Sequence, residues 1–103
     1  MQPTNALTTE VNIQNISFSP QVVVIQAGES VTWTNHDGLI IHTTTSDTDL
    51  WDSGDLADGQ SFSHTFDTPG RYDYHCMHHP LLMTGIVIVV KPVIYLPTML
   101  DLN

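Results

Sequence analysis

From Glu10 to Val90 the apolar positions recur with a period of two. In "QSFSHTF", Phe62, His64 and Phe66 alternate with Ser61, Ser63 and Thr65, and in "SVTWTN" Val31 and Trp33 share one face. "DTPGRYDYHC" opens on Pro-Gly, a type II turn signature, and then aligns Tyr72, Tyr74 and Cys76. Successive side chains of a strand point to opposite faces, so this alternation predicts half-buried β-structure. "QVVVIQ", ended by the turn "AGES", and "GIVIVV" are short β-branched runs that suit more deeply buried strands. "HTTTS" is a further Thr-rich strand. In "VNIQNISFSP" the phase slips between Ile13 and Ile16, which predicts a bulge or bend. No helical period lasts beyond a turn or two. "DTDLWDSGDLADG" reads as a polar loop with room for one short helical turn.

Seven to eight short strands separated by Gly, Pro and Asp turns predict an all-β sandwich. The expected organisation is a polar leader over 1–9, one β domain over 10–91 and a tail over 92–103. That tail is broken by Pro92 and Pro97 and either packs as an extra edge strand or serves as a linker. A length of 103 residues suits a single core.

Charge narrows the partners. Lys and Arg total 2 against 11 Asp and Glu, for a formal net charge of −9. Phosphate binding needs clustered Lys and Arg, so nucleic acid is excluded, and anionic membrane surfaces are disfavoured. No apolar run is long enough to span a bilayer, and "MQPTNALTTE" lacks the charged and apolar regions of a signal peptide. The plain reading of the acidity is solubility, and the sharper one is steering toward a basic protein partner.

The chemistry is concentrated in "YDYHCMHHP", residues 72–80, which holds the single cysteine and three of the six histidines. One cysteine forms no internal disulfide. Alternation turns His75 away from Cys76. Pro80 ends the strand, so a tight loop can bring His79, at C-x-x-H spacing, back beside the sulfur; His78, at C-x-H spacing, is its rival. Met83 follows just ahead of the last strand. A thiolate, an imidazole and a thioether in one loop suit mononuclear copper, held by two His and one Cys with a weak axial Met. Structural zinc more often takes several thiolates or four closed ligands without Met. The plain alternative is a buried Cys acting as a small hydrophobe and a Met filling core. The second imidazole must come from elsewhere in the chain. "WTNHDGLIIHTTTS" offers His36 and His42; His42 leads straight into a strand, whereas His36 sits in the loop beside Asp37. His64, between two Phe residues, reads as a packed or rim histidine.

These segments, in this order, resemble the cupredoxins of the plastocyanin, azurin and amicyanin type. The resemblance spans residues 11–90 through "SFSPQVVVIQAGESVTWTNHD", "HTTTS", "DSGDLADGQSFSHTFDTPGRYDYHC" and "HPLLMTGIVIVV". It implies a Greek-key β-sandwich with one copper ion at one end, held by His42, Cys76, His79 and Met83. It further implies a blue-copper electron carrier rather than an enzyme, located outside the cytoplasm. Redox partners would dock on an apolar patch of Pro80, Leu81, Leu82 and Leu39 beside His79. A basic partner such as a c-type cytochrome fits the acidic surface. Three departures stand out. The Asn35–His42 loop is one residue longer than in the commonest members, and the His79–Met83 stretch is longer than in amicyanin-like members. Met77 stands where a Ser, Thr or Pro is usual, so a hydroxyl contact is lost there. They bear on the axial contact of Met83. An open site that binds or turns over a small molecule such as nitric oxide is therefore the alternative, with copper storage or delivery a third.

Overall fold

The alternating segments become strands where their apolar faces meet across two sheets. In the computed structural model, which describes residues 7–92, β1 (Thr8–Ile13), β2 (Phe18–Ser19), β4 (Glu29–Asn35) and β6 (Ser61–Phe66) form one sheet in the order β2-β1-β4-β6. The other runs β3 (Val22–Gln26), β8 (Thr84–Val90), β7 (Gly70–His75), β5 (Thr45–Ser46). Pairing is parallel for β1 with β4 and for β3 with β8, and antiparallel elsewhere. This is the expected Greek-key sandwich, with eight strands and no helix among the described residues. The tail beyond Pro92 lies outside the described residues. The strand expected from Glu10 begins at Thr8.

Val11, Ile13, Val31, Trp33 and Phe66 of one sheet bury against Val23, Ile25, Tyr74, Val87 and Val89 of the other. Outside, the polar half of the alternation pairs with itself. Ser30 meets Thr65 and Thr34 meets Ser61, each at 2.7 Å between hydroxyl oxygens, and Thr32 likewise meets Ser63. Gly85 leaves room for the ring of Tyr74, into which a Cβ would intrude. Tyr74 also packs edge-on to Phe18 and Trp33, and burial pushes its phenol up to about 12, so no charge arises there at neutral pH.

One expectation needs correction. The segment 47–59 forms no helical turn and is not merely a polar loop. Trp51 and Leu56 are buried in the core, where Trp51 stacks on Trp33 and donates its indole N–H to Thr44 Oγ1 at 3.0 Å. The phase slip after Ile13 is the bend of the two alternatives, in the form of a two-residue hairpin turn joining β1 to β2. Gln14 and Ser17 exchange backbone bonds of 3.0 and 3.1 Å around Asn15 and Ile16, at φ 56° and 53°. Two positive φ values make this a type I′ turn, which favours Asn-Gly. A β-branched side chain in that region costs about 1–2 kcal/mol. Ile16→Gly is therefore expected to raise stability by roughly 1 kcal/mol, read as a higher urea midpoint at unchanged slope.

His64 lies in the inward row of β6, stacked on Trp51 and edge-on to Phe66. Burial lowers its pKa from 6.5, against a weaker upward pull from Asp67. A depressed folded pKa gives stability that is complete above the unfolded value and is lost as pH falls through the folded one. Urea unfolding at pH 7.5, 6 and 5 should show a steeper loss for the native chain than for His64→Gln; equal slopes would remove His64 from the account.

Candidate metal centre

Cys76 follows the last residue of β7, and its N–H donates to Met83 O at 3.0 Å, just before β8 begins. The strand pair thus closes the intervening residues into a loop. Within it His79 N–H donates to Cys76 O at 3.1 Å, and Leu82 and Met83 N–H donate to His79 O at 3.2 and 2.9 Å. These turns fold His79 back over the sulfur, with Nδ1 3.8 Å from Cys76 Sγ. Met83 and Cys76 are both fully buried.

His42 arrives from the other side. It exchanges backbone bonds with Leu56, at 3.2 and 2.8 Å, so the segment taken for a polar loop is what holds it. Its ring is sealed, with Nδ1 3.7 Å from Cys76 Sγ and Nε2 2.7 Å from Asp37 Oδ2. Thr43 ties the two sides together. Its N–H donates to Cys76 Sγ at 3.3 Å, and its hydroxyl accepts the Met77 N–H at 2.9 Å. Met77 brings no side-chain hydroxyl of its own, and the hydroxyl bonded to its backbone is that of Thr43.

The preceding loop is organised by Asn35, itself fully buried. Its amide donates to Ile40 O and Leu56 O, at 2.9 and 2.8 Å, and its Oδ1 accepts the Asp37 N–H at 2.8 Å. Burial raises the Asp37 carboxyl, but hydrogen bonds from Ile16 N–H, His42 and Asn15 N–H outweigh it and hold the group below its ordinary value. Asp37 and Thr43 escaped the sequence reading. Neither carries a signal beyond closeness to His42 in the chain.

The structure brings together one donor atom each from His42, Cys76 and His79, all within 4.8 Å of one another. Metal bonds of about 2.3 Å to sulfur and 2.1 Å to nitrogen, at a trigonal angle, separate those atoms by about 3.8 Å. The two sulfur–nitrogen distances therefore fit a single ion shared by the three donors, and two His with one Cys is a copper donor set. Other histidines lie apart. His36 is exposed, His78 pairs with Asp55 at 2.8 Å, and His75 pairs with Asp47. Leu39, Leu81 and Leu82 are almost wholly exposed, and Ile40, Ile41 and Met77 are also at the surface.

Known proteins share this architecture. A model of copper-binding proteins of the plastocyanin/azurin family matches residues 5–90. Amicyanin-alpha of Methylorubrum extorquens is 34% identical over 93 residues, spanning 85% of this chain and 77% of that protein. The chloroplastic plastocyanin of Tetradesmus obliquus is 40% identical over 84 residues, 70% of this chain and 57% of that one. Among solved structures, a purple cupredoxin from Nitrosopumilus maritimus superposes with a TM-score of 0.73 at 32% identity, covering 80% of this chain and 99% of its own. The copper-containing nitrite reductase of Thermus scotoductus gives 0.79 at 27% identity, over 90% of this chain but 24% of the enzyme. With three converging donors, a family model along most of its length and a relative above 30% identity, the chain belongs to the plastocyanin/azurin family of copper-binding proteins, the cupredoxins.

Proposed function

We propose that the chain is a type 1 copper electron carrier, with His42, Cys76 and His79 as the equatorial ligands and Met83 as the axial one. The observation that carries this reading is the convergence of the three donors from independently anchored segments. Bound copper supplies a one-electron couple, Cu(II)/Cu(I). The protein's own groups do the rest. The Thr43 N–H donates to Cys76 Sγ and helps fix where the sulfur sits. The Leu56 bridge and the Met83 carbonyl hold His42 and Cys76 from opposite sides, so neither relaxes alone. A site that cannot rearrange changes little between oxidation states, which keeps the barrier to electron transfer low.

His42 is sealed and His79 is half-buried, so His79 is the electron port of this reading. Leu39, Pro80, Leu81 and Leu82 around it form the docking face. Exposed apolar patches of this kind serve brief contacts, and small weak interfaces suit redox encounters. Five of the eleven acidic residues fall between Asp47 and Asp58, and one of them, Asp55, pairs with His78 beside the patch. This favours a basic partner such as a c-type cytochrome, met outside the cytoplasm. Among the described residues no helix is long and apolar enough to cross a membrane. The likeness to the nitrite reductase covers a quarter of that enzyme, and His42, Cys76 and Met83 are each wholly buried, so turnover of a small molecule has the weaker support.

Loaded with Cu(II), the protein should show intense sulfur-to-copper absorption in the visible. Cys76→Ala should abolish that band, and a band that survives would overturn the ligand assignment. Leu81→Ser with Leu82→Ser, which removes the apolar surface without changing the charge, should slow electron exchange with a c-type cytochrome at least several-fold while leaving the spectrum intact. The native rate should also fall as salt rises from about 0.01 M to 1 M, over which the Debye length shrinks from about 30 Å to about 3 Å. A salt-independent rate would refute the charge steering.

A further inference from the structure

The tip of the β1–β2 hairpin is a small anion-binding nest. Its two turn residues, Asn15 and Ile16, are both left-handed, and both aim their N–H groups at one carboxylate. Asn15 N–H donates to Asp37 Oδ1 and Ile16 N–H to Asp37 Oδ2, each at 2.9 Å. Consecutive N–H groups converging in this way favour an anion. Here the anion is a side chain from the loop after β4, more than twenty residues along the chain. Its backbone is pinned in turn, by the Asp37 N–H to Asn35 Oδ1 bond.

The same Oδ2 that accepts from Ile16 lies 2.7 Å from His42 Nε2. A carboxylate accepts hydrogen bonds and donates none, so the hydrogen between these atoms belongs to Nε2. Neutral imidazole carries only one, and Nδ1, the atom 3.7 Å from Cys76 Sγ, is left with a free lone pair. Neither nitrogen is then ambiguous. The tip also resists rotation of the carboxylate, since turning it to release His42 breaks two backbone bonds as well.

We propose that Asp37, clamped by the hairpin tip, is a positioning residue that locks His42 in its Nε2–H tautomer with Nδ1 presented to the metal. This rests on reading His42 as a copper ligand. Asp37→Ala removes the acceptor for all three donors. Asp37→Asn keeps one oxygen, enough for Ile16 and His42 if the amide nitrogen turns toward Asn15. The three proteins should therefore form a graded series.

Long-range ¹H–¹⁵N correlation spectra of the metal-free protein at neutral pH read the tautomer directly. The native chain should carry its His42 proton on Nε2, Asp37→Asn should retain most of that population, and Asp37→Ala should shift a large part to Nδ1. Cu(II) affinity should fall about 10–100-fold in Asp37→Ala, with Asp37→Asn between the two. A native His42 protonated on Nδ1 would overturn the proposal, whether or not the variants fold. So would a folded Asp37→Ala with an unchanged tautomer and an affinity within twofold of native. The native copper spectrum separates the two levels. Its sulfur band with unaffected Asp37 variants counts against Asp37 alone, whereas its absence counts against the copper reading beneath.

Discussion

The hydrogen bond from the Thr43 N–H to Cys76 Sγ joins two chain segments 33 residues apart, and the site depends on that junction. Thr43 follows His42 directly, so placing its N–H on the sulfur also sets where the imidazole begins. Its hydroxyl takes the Met77 N–H, which fixes the start of the loop carrying His79. One residue thus holds both halves of the donor set in register. It also rests on Thr45, whose hydroxyl oxygen is 2.8 Å from its own, and Thr45 belongs to β5, paired with β7. The chain of contacts returns through β7 to Cys76, a closed loop of bonds with no free end. Closed loops of this kind convert the rigidity of sheets into the rigidity of a few atoms.

What could be read from sequence was whatever repeats or is chemically rare. The alternation of β4, β6 and β7 was legible because one face of each strand meets the core and the other meets solvent. The lone cysteine with C-x-x-H spacing and a following methionine was legible because soft donors seldom gather by chance. His42 was distinguishable from His36 by the strand that follows it. The segment 47–59 was not legible, because its acidic and small residues look like solvent-facing chain. Its two apolar anchors, Trp51 and Leu56, are too few to show a period. Yet Leu56 grips the backbone of His42, and Trp51 fills the space between Trp33 and His64. Asp37 was invisible for another reason. Its partners in the hairpin tip come from a different region of the chain, and nothing local marks a carboxylate as shared.

The hairpin tip shows how local cost and distant gain are traded. Ile16 sits where glycine or asparagine is preferred, yet its N–H is committed to Asp37. Strain in the turn coexists with an anchoring role in the loop before His42. Read by turn propensity alone, the Asn15-Ile16 pair is a poor hairpin; read with Asp37, it is one half of a bracket.

The edges of the sandwich carry one more implication. β6 is an edge strand, and its only ionisable side chain, His64, points inward, while its outer hydroxyls are taken up by β4. Edge strands are commonly guarded against joining a neighbour by lysines, prolines or bulges, and none of these stands in Ser61–Phe66. At the far sheet's edge, β3 exposes Val22 and Val24. The net charge of −9 adds a collective repulsion between copies of this molecule that does not depend on any one strand. Colloidal stability and acidity are coupled as a result: acidification that neutralises carboxylates weakens this repulsion while the unguarded edges stay as they are.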